Sequence, residues 1–235
     1  MLLDKGMGLE ETRDLFHTAG DYIDFLKLGF GTSALYPQKA LEEKINLAKN
    51  FNIVIYPGGT FLEIAVMQDK VKEFLMMAKA LGYTAIEVSD GTVNISPKVR
   101  ARTISMAADK GFKVLTEIGK KNPLDRGPFV ESVEQIALDL KNGAYKVIVE
   151  GRESGKDTGF YDSEGHFTEE HLDLILSAVD NTDLLIWEAP LKEQQQELIL
   201  RFGPDVNLGN IPPREVLALE ALRVGLRGDT LRSVI

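Results

Sequence analysis

Eight short apolar runs recur along this chain, each bounded by Gly, Asp or Asn and separated from the next by an amphipathic stretch. They fall at 1–3, 22–28, 53–56, 85–88, 113–118, 146–150, 184–188 and 206–208. Runs this short, rich in Val, Ile and Leu, read as parallel strands buried on both faces. The stretches between them carry helix signals. Ser96 before Pro97 is an N-cap followed by proline at the first helical position. Thr168 precedes Glu169 and Glu170, carboxylates suited to the positive end of a helix dipole. Leu172, Ile175, Leu176 and Val179 then keep the spacing of one buried helical face. Gly82, Gly111 and Gly143 follow helical stretches where a left-handed C-terminal cap is wanted.

Strands alternating with helices give βα units joined by right-handed crossovers. Eight such units within 235 residues favour a closed (β/α)8 TIM barrel over an open sheet, with 1–235 forming a single domain. The first strand has few residues before Gly6 and is expected to be short.

Composition narrows the function. Lys and Arg number 27 against 36 Asp and Glu, a net charge of −9 with no long basic run, which argues against nucleic-acid binding. No apolar run approaches the length of a membrane span, and the N-terminal segment is too short for a signal peptide's apolar region. There are no cysteines, so disulfide and thiolate chemistry are excluded, and a cytoplasmic location is expected. An anionic substrate would have to be drawn in by a local cationic pocket or a bound metal ion.

In such a barrel the chemistry sits where the strands end. Glu87 and Asp90 close the fourth run, Glu117, Lys120 and Lys121 the fifth, Glu150, Arg152 and Ser154 the sixth and Glu188 the seventh. Asp4, Lys5 and Lys27 close the first two, and Asn207 and Asn210 the eighth. The stretch 147–156, VIVEGRESGK, imitates a nucleotide-binding loop but fails as one. Three residues rather than four separate Gly151 from Gly155, and Asp157 stands where Ser or Thr would hold magnesium. It is better read as a barrel loop carrying Arg152 and Ser154 toward an anion.

Taken singly, most of these residues are explained as caps, solvated loop residues or structural ion pairs, and Gly58-Gly59 as a tight turn. The set is harder to dismiss. Four carboxylates, Glu87, Glu117, Glu150 and Glu188, converge at one end of a closed barrel, and buried carboxylates repel unless cations or protons intervene. Lysine, arginine and a divalent metal are the natural partners. Oxygen donors without clustered histidine or cysteine point to magnesium rather than zinc. His17, His166 and His171 form no ligand pair, Trp187 reads as core, and Arg227 and Asp229 in the tail read as closing or subunit-contact residues.

At these residues the chain resembles the phosphosulfolactate synthase family. The likeness is carried by GDYIDFLKLGFGTS (20–33), YPGGT (56–60), EVSDGT (87–92), VLTEIGKK (114–121), EGRESGK (150–156), WEAP (187–190), VNLGNI (206–211) and GLRGDT (225–230). Trp187 and Gly209 depart from the expected Phe and Ala. The resemblance implies a (β/α)8 fold and magnesium-dependent addition of sulfite to phosphoenolpyruvate, giving phosphosulfolactate of 2R configuration, which in archaea opens a route to coenzyme M. On that reading Lys120 delivers the proton to C2, with Lys121 and Lys27 as rivals. The metal falls to Glu87, Asp90 and Glu117, with Glu150 as a further ligand. Phosphate falls to Arg152, Ser154 and the backbone near Gly209 and Asn210. The alternatives are a related magnesium barrel acting on another enol phosphate or α-keto acid, and a non-catalytic relative that binds a phosphorylated ligand. A homo-oligomer is expected.

Overall fold

A computed structural model describes residues 1–120 and 129–231. Its strands are β1 (Leu2–Asp4), β2 (Phe25–Leu28), β3 (Val54–Pro57), β4 (Ala85–Val88), β5 (Lys113–Ile118), β6 (Lys146–Val149), β7 (Leu185–Glu188) and β8 (Leu208–Gly209). The helices are α1 (Leu9–Ala19), α2 (Gln38–Asn50), α3 (Gly59–Met67), α4 (Val71–Leu81), α5 (Pro97–Asp109), α6 (Phe129–Lys141), α7 (Glu169–Ser177), α8 (Lys192–Phe202) and α9 (Val216–Arg223). No helix among the described residues is long and apolar enough to cross a membrane.

All strand pairs are parallel and run in chain order, in one ladder of β1-β2-β3 and another from β4 to β8. Individual hydrogen bonds span the two seams. Leu3 N–H donates to Ile211 O at 3.1 Å, and Ile211 N–H to Met1 O at 3.3 Å. On the other side, Thr84 N–H donates to Ile55 O at 3.2 Å and Ile55 N–H to the Thr84 hydroxyl at 3.0 Å. The eight strands therefore follow one another around a ring, as eight βα units require.

Side chains alternate across each strand, and the alternation separates two cores. Leu26, Ile55, Ile86, Val114, Val147, Leu185 and Trp187 face outward and pack under the helices. Phe25, Tyr56, Ala85, Leu115, Ile148 and Ile186 face inward and fill the ring. Trp187 is fully buried and stacks on Phe160 and Phe202. The helix ends obey their local chemistry. The Ser96 hydroxyl accepts from Val99 N–H ahead of Pro97, and Gly82, Gly111 and Gly143 take positive φ at 94°, 77° and 107°.

Some boundaries differ from the sequence reading. Residues 20–22 form a 3-10 turn, so β2 starts only at Phe25. Gly59 opens α3 directly, so YPGGT is a strand-to-helix junction rather than a free turn. The last strand lies at Leu208–Gly209, which puts Asn207 before it. The Asn207 amide donates to Asp183 O and Leu185 O, both at 3.0 Å, at the end of the ring opposite the glutamates. In the tail, Asp229 binds Lys192 at 2.8 Å and Arg227 at 3.5 Å, closing the chain onto the start of α8.

Candidate active site

The inward-facing apolar layer has a polar layer directly above it. Moving two residues along each strand takes Phe25 to Lys27, Ala85 to Glu87, Leu115 to Glu117, Ile148 to Glu150 and Ile186 to Glu188. Period-2 geometry thus delivers one lysine and four glutamates to the same level of the ring. None is more than 8% exposed.

Lys27 stands at the centre. Its Nζ lies 3.0 Å from Glu87 Oε2, 3.3 Å from Glu117 Oε2 and 3.3 Å from Glu188 Oε1. Burial opposes the charge of this lysine, but Glu87, Glu188 and Glu117 together outweigh it and hold Lys27 well above its ordinary value. Burial also pushes the Glu87 carboxyl up, to about 7, against the pull of Lys27. Glu117, Glu150 and Glu188 each offer a carboxylate oxygen, and these oxygens all lie within 4.8 Å of one another. The close carboxylate oxygens of Glu117, Glu150 and Glu188 are donors of the kind that hold a further cation.

Backbone packing fixes the carboxylates. Gly59 N–H donates to Glu87 Oε1 at 2.8 Å, Gly151 N–H to Glu188 Oε2 at 3.0 Å and Arg152 N–H to Glu150 Oε1 at 2.6 Å. Two of these contacts need glycine. A Cβ on Gly59 would fall 2.3 Å from Ser89 Oγ and 2.7 Å from Glu87 Oε1, and one on Gly151 would fall 2.3 Å from Glu188 O. The loops around the rim are also unusual. Phe30, Arg152 and Asn210 adopt positive φ of 56°, 58° and 55°, and all three line the cavity over the cluster. That cavity measures about 400 Å³ and includes Lys27, Gly58, Gly59, Glu87, Glu117, Glu150, Arg152, Glu153, Glu188 and Asn210.

The sequence-predicted residues therefore divide. Glu87, Glu117, Glu150, Lys27, Arg152 and Asn210 share one cavity, as does Glu188, which the sequence reading left off its ligand set. Gly209 stands at the end of β8, where a Cβ would meet Met1 Cε at 2.6 Å. The Ser154 side chain is exposed, and its hydroxyl pairs with the backbone N–H and C=O of Lys156 at 3.3 Å each. Asp90 binds Arg100 at 3.1 Å and Lys120 at 2.6 Å. Lys120 is half-buried beside it and lines a neighbouring cavity with His171 and Asp157. Lys121 lies outside the described residues. Asp4 is a structural anchor, accepting from Gly6 N–H, Met7 N–H and the buried Lys44 ammonium.

Arg100 was not legible as a site residue. Yet it occupies position i of a helical face completed by Thr103, Ile104 and Ala107, all buried. A charge at a core-facing position is the signal that marks it.

The whole chain has close counterparts. A family described as (2R)-phospho-3-sulfolactate synthase (ComA) matches residues 1–229. The phosphosulfolactate synthase of Methanothermobacter thermautotrophicus is 46% identical over 237 residues, covering 100% of this chain and 91% of that protein. That of Bacillus subtilis is 43% identical over 232 residues, covering 98% and 90%. Among solved structures, 3-hexulose-6-phosphate synthase from Salmonella typhimurium superposes with a TM-score of 0.59 over 93% of this chain and 95% of that one. At 14% identity the likeness is one of fold alone.

Proposed function

The chain belongs to the (2R)-phospho-3-sulfolactate synthase family, and on that footing we propose that its cavity adds sulfite to phosphoenolpyruvate, giving (2R)-phospho-3-sulfolactate, with magnesium as cofactor. The observation that carries this reading is the buried cluster itself, a lysine and four glutamates under a cavity that also presents Arg152. Glu117, Glu150 and Glu188 fit a hard divalent cation, because the donors are all carboxylate oxygens and stand close together. Bound there, the cation would supply Lewis-acid stabilisation to negative charge building on the substrate carboxylate.

The chain's own residues do the rest. The sulfur lone pair of sulfite forms the new bond to C3 of the enol phosphate. The C2–C3 π pair moves onto C2 and into the carboxylate, and a proton then closes the C2–H bond. No group leaves, so the phosphate ester must be held throughout. Arg152 and Asn210, both lining the cavity, are assigned to it, and the Ser154 hydroxyl shapes the loop behind Arg152. Lys27 keeps three glutamates from repelling one another and from turning away.

The proton is assigned to Lys120. A donor must release its proton and recover one from solvent each cycle. Lys27 is buried among three carboxylates that hold its proton, whereas Lys120 is half-buried at the end of β5, paired with Asp90 and lining the cavity beside the one that Lys27 and Arg152 share, so on this reading its ammonium swings from Asp90 to C2 when substrate is bound. The deciding experiment incubates the purified protein with phosphoenolpyruvate, sulfite and magnesium and follows the product by phosphorus NMR and mass. Phosphosulfolactate should form only when all three are present. Binding of phosphoenolpyruvate with no sulfite-dependent turnover would defeat the assignment and leave a ligand-binding protein.

A further inference from the structure

Arg100 sits in the first turn of α5 and is 2% exposed. A guanidinium keeps its charge under all ordinary conditions, so burying it requires acceptors. Asp139 on α6 is the main one. Nε donates to its two oxygens at 2.9 and 3.1 Å, and Nη2 to Oδ2 at 2.5 Å. Gln135 steadies the same carboxylate at 2.7 Å. This pair alone would only clamp α5 to α6.

The other contacts lead inward. Arg100 Nη2 donates to the backbone carbonyl of Glu117 at 2.9 Å, and Nη1 to Asp90 Oδ1 at 3.1 Å. The second oxygen of Asp90 accepts from Lys120 Nζ at 2.6 Å, and that ammonium also donates to Asp90 O at 2.6 Å. Charges therefore alternate along Asp139, Arg100, Asp90 and Lys120, from the outer helix layer to the rim of the ring. The flexible stem of a lysine does not fix its own ammonium, whereas a planar fork held on several acceptors is rigid.

We propose that Arg100 is a positioning residue for the addition reaction. By holding Asp90 it sets the place of the Lys120 ammonium, and by binding the Glu117 carbonyl it pins the strand end that carries a cluster carboxylate. The inference rests on the reading of Lys120 as proton donor given above. It also accounts for Asp90, whose two oxygens serve these cations rather than joining the glutamates around Lys27.

Arg100→Met alone leaves Asp139 buried without its cation and risks unfolding, so Arg100→Met/Asp139→Leu, which removes both buried charges, is the companion variant. Both are measured for Tm, kcat and the KM for phosphoenolpyruvate, and the folded double variant is crystallised beside the wild type. The expected result is a kcat lower by ~10- to 100-fold with KM changed by less than about threefold, since proton delivery rather than substrate binding is lost. In the crystal Asp90 and the Lys120 ammonium paired with it should move together from their wild-type place. A folded variant with wild-type kcat, or one whose Lys120 keeps its place, overturns the proposal. Should the wild type show no sulfite turnover, the functional reading fails by itself, and the position of Lys120 in the two crystals still decides the role of Arg100.

Discussion

The Lys27 ammonium lies 3.0 Å from the Glu87 carboxylate on the floor of the cavity, with side-chain exposures of 10% and 2%. The pair is not isolated, because Glu117 and Glu188 each stand 3.3 Å from the same nitrogen. One cation thus organises three anions from three strands, and any change to it falls on all of them.

Lys27→Met should therefore destabilise the protein. Breaking a buried ion pair by removing one partner costs ~3–5 kcal/mol, and proton uptake by the glutamates offsets part of that. Thermal unfolding in chelator should show a clear drop in Tm. Magnesium should restore some of it, because a divalent ion supplies the missing charge. An unchanged Tm in chelator would show that the lysine does not organise the cluster.

Stability should also depend on pH through Glu87. Its folded value of about 7 stands above the ordinary 4.5, so the folded protein binds the proton more tightly than the unfolded chain. The stabilisation is complete below the unfolded value and is lost as pH rises through the folded one. Between those values the metal-free protein should lose up to ~1.4 kcal/mol per pH unit from this group. Urea unfolding in chelator at several pH values, compared with Glu87→Gln, tests it. The slope should flatten in the variant, and equal slopes would count against a protonated Glu87.

Glu117→Gln keeps the shape and removes one charge from the metal-facing set. The cation should then bind at least ~10-fold more weakly, with turnover falling in step. Calorimetric titration with magnesium checks the first effect and the sulfite assay the second. Wild-type affinity in the variant would move the cation elsewhere.

What the sequence disclosed, and what it did not, follows from range. Eight runs and their spacing give the ring, because period and crossover length are local properties. The glutamates of β4 to β7 were visible because each closes its apolar run. Their common level follows from alternation within each strand. The commitment of Asp90 to Arg100 was hidden. It depends on how α5 and α6 pack against the ends of β4 and β5, and Asp139 lies 39 residues beyond Arg100. The different surroundings of Lys27 and Lys120 were hidden for the same reason. Lys27 points inward by strand alternation, whereas the direction of Lys120 beyond the end of β5 is set by the partners around it. Gly59 looked like a turn residue and Gly151 like part of a loop, because close approach to a carboxylate residue leaves no mark in a single sequence.

Gly59→Ala tests that close approach. The added Cβ must displace both Ser89 and the Glu87 carboxylate, which otherwise lie 2.3 and 2.7 Å from it. Overpacking of this kind costs ~1–3 kcal/mol, and the shift should reach Lys27 through Glu87. Turnover should fall more than stability alone explains, as judged by activity measured well below the variant's Tm. Unimpaired activity would mean that the Glu87 position is not critical.

The proton assignment separates two lysines with different surroundings. Lys120→Ala removes a half-buried side chain whose ammonium is held by Asp90, so the fold should survive with little change in Tm. Turnover should fall by ~100-fold or more, in the range that general acids contribute. The KM for phosphoenolpyruvate should move little, because the donor acts on C2 and not on the phosphate. In heavy water the wild type should place deuterium at C2 on one face only. The residual product of the variant should lose that facial preference, since water then delivers the proton from either side. Near-normal turnover with intact stereochemistry would exclude Lys120 and return the role to Lys27, whose removal should then abolish activity under conditions where magnesium has restored the fold.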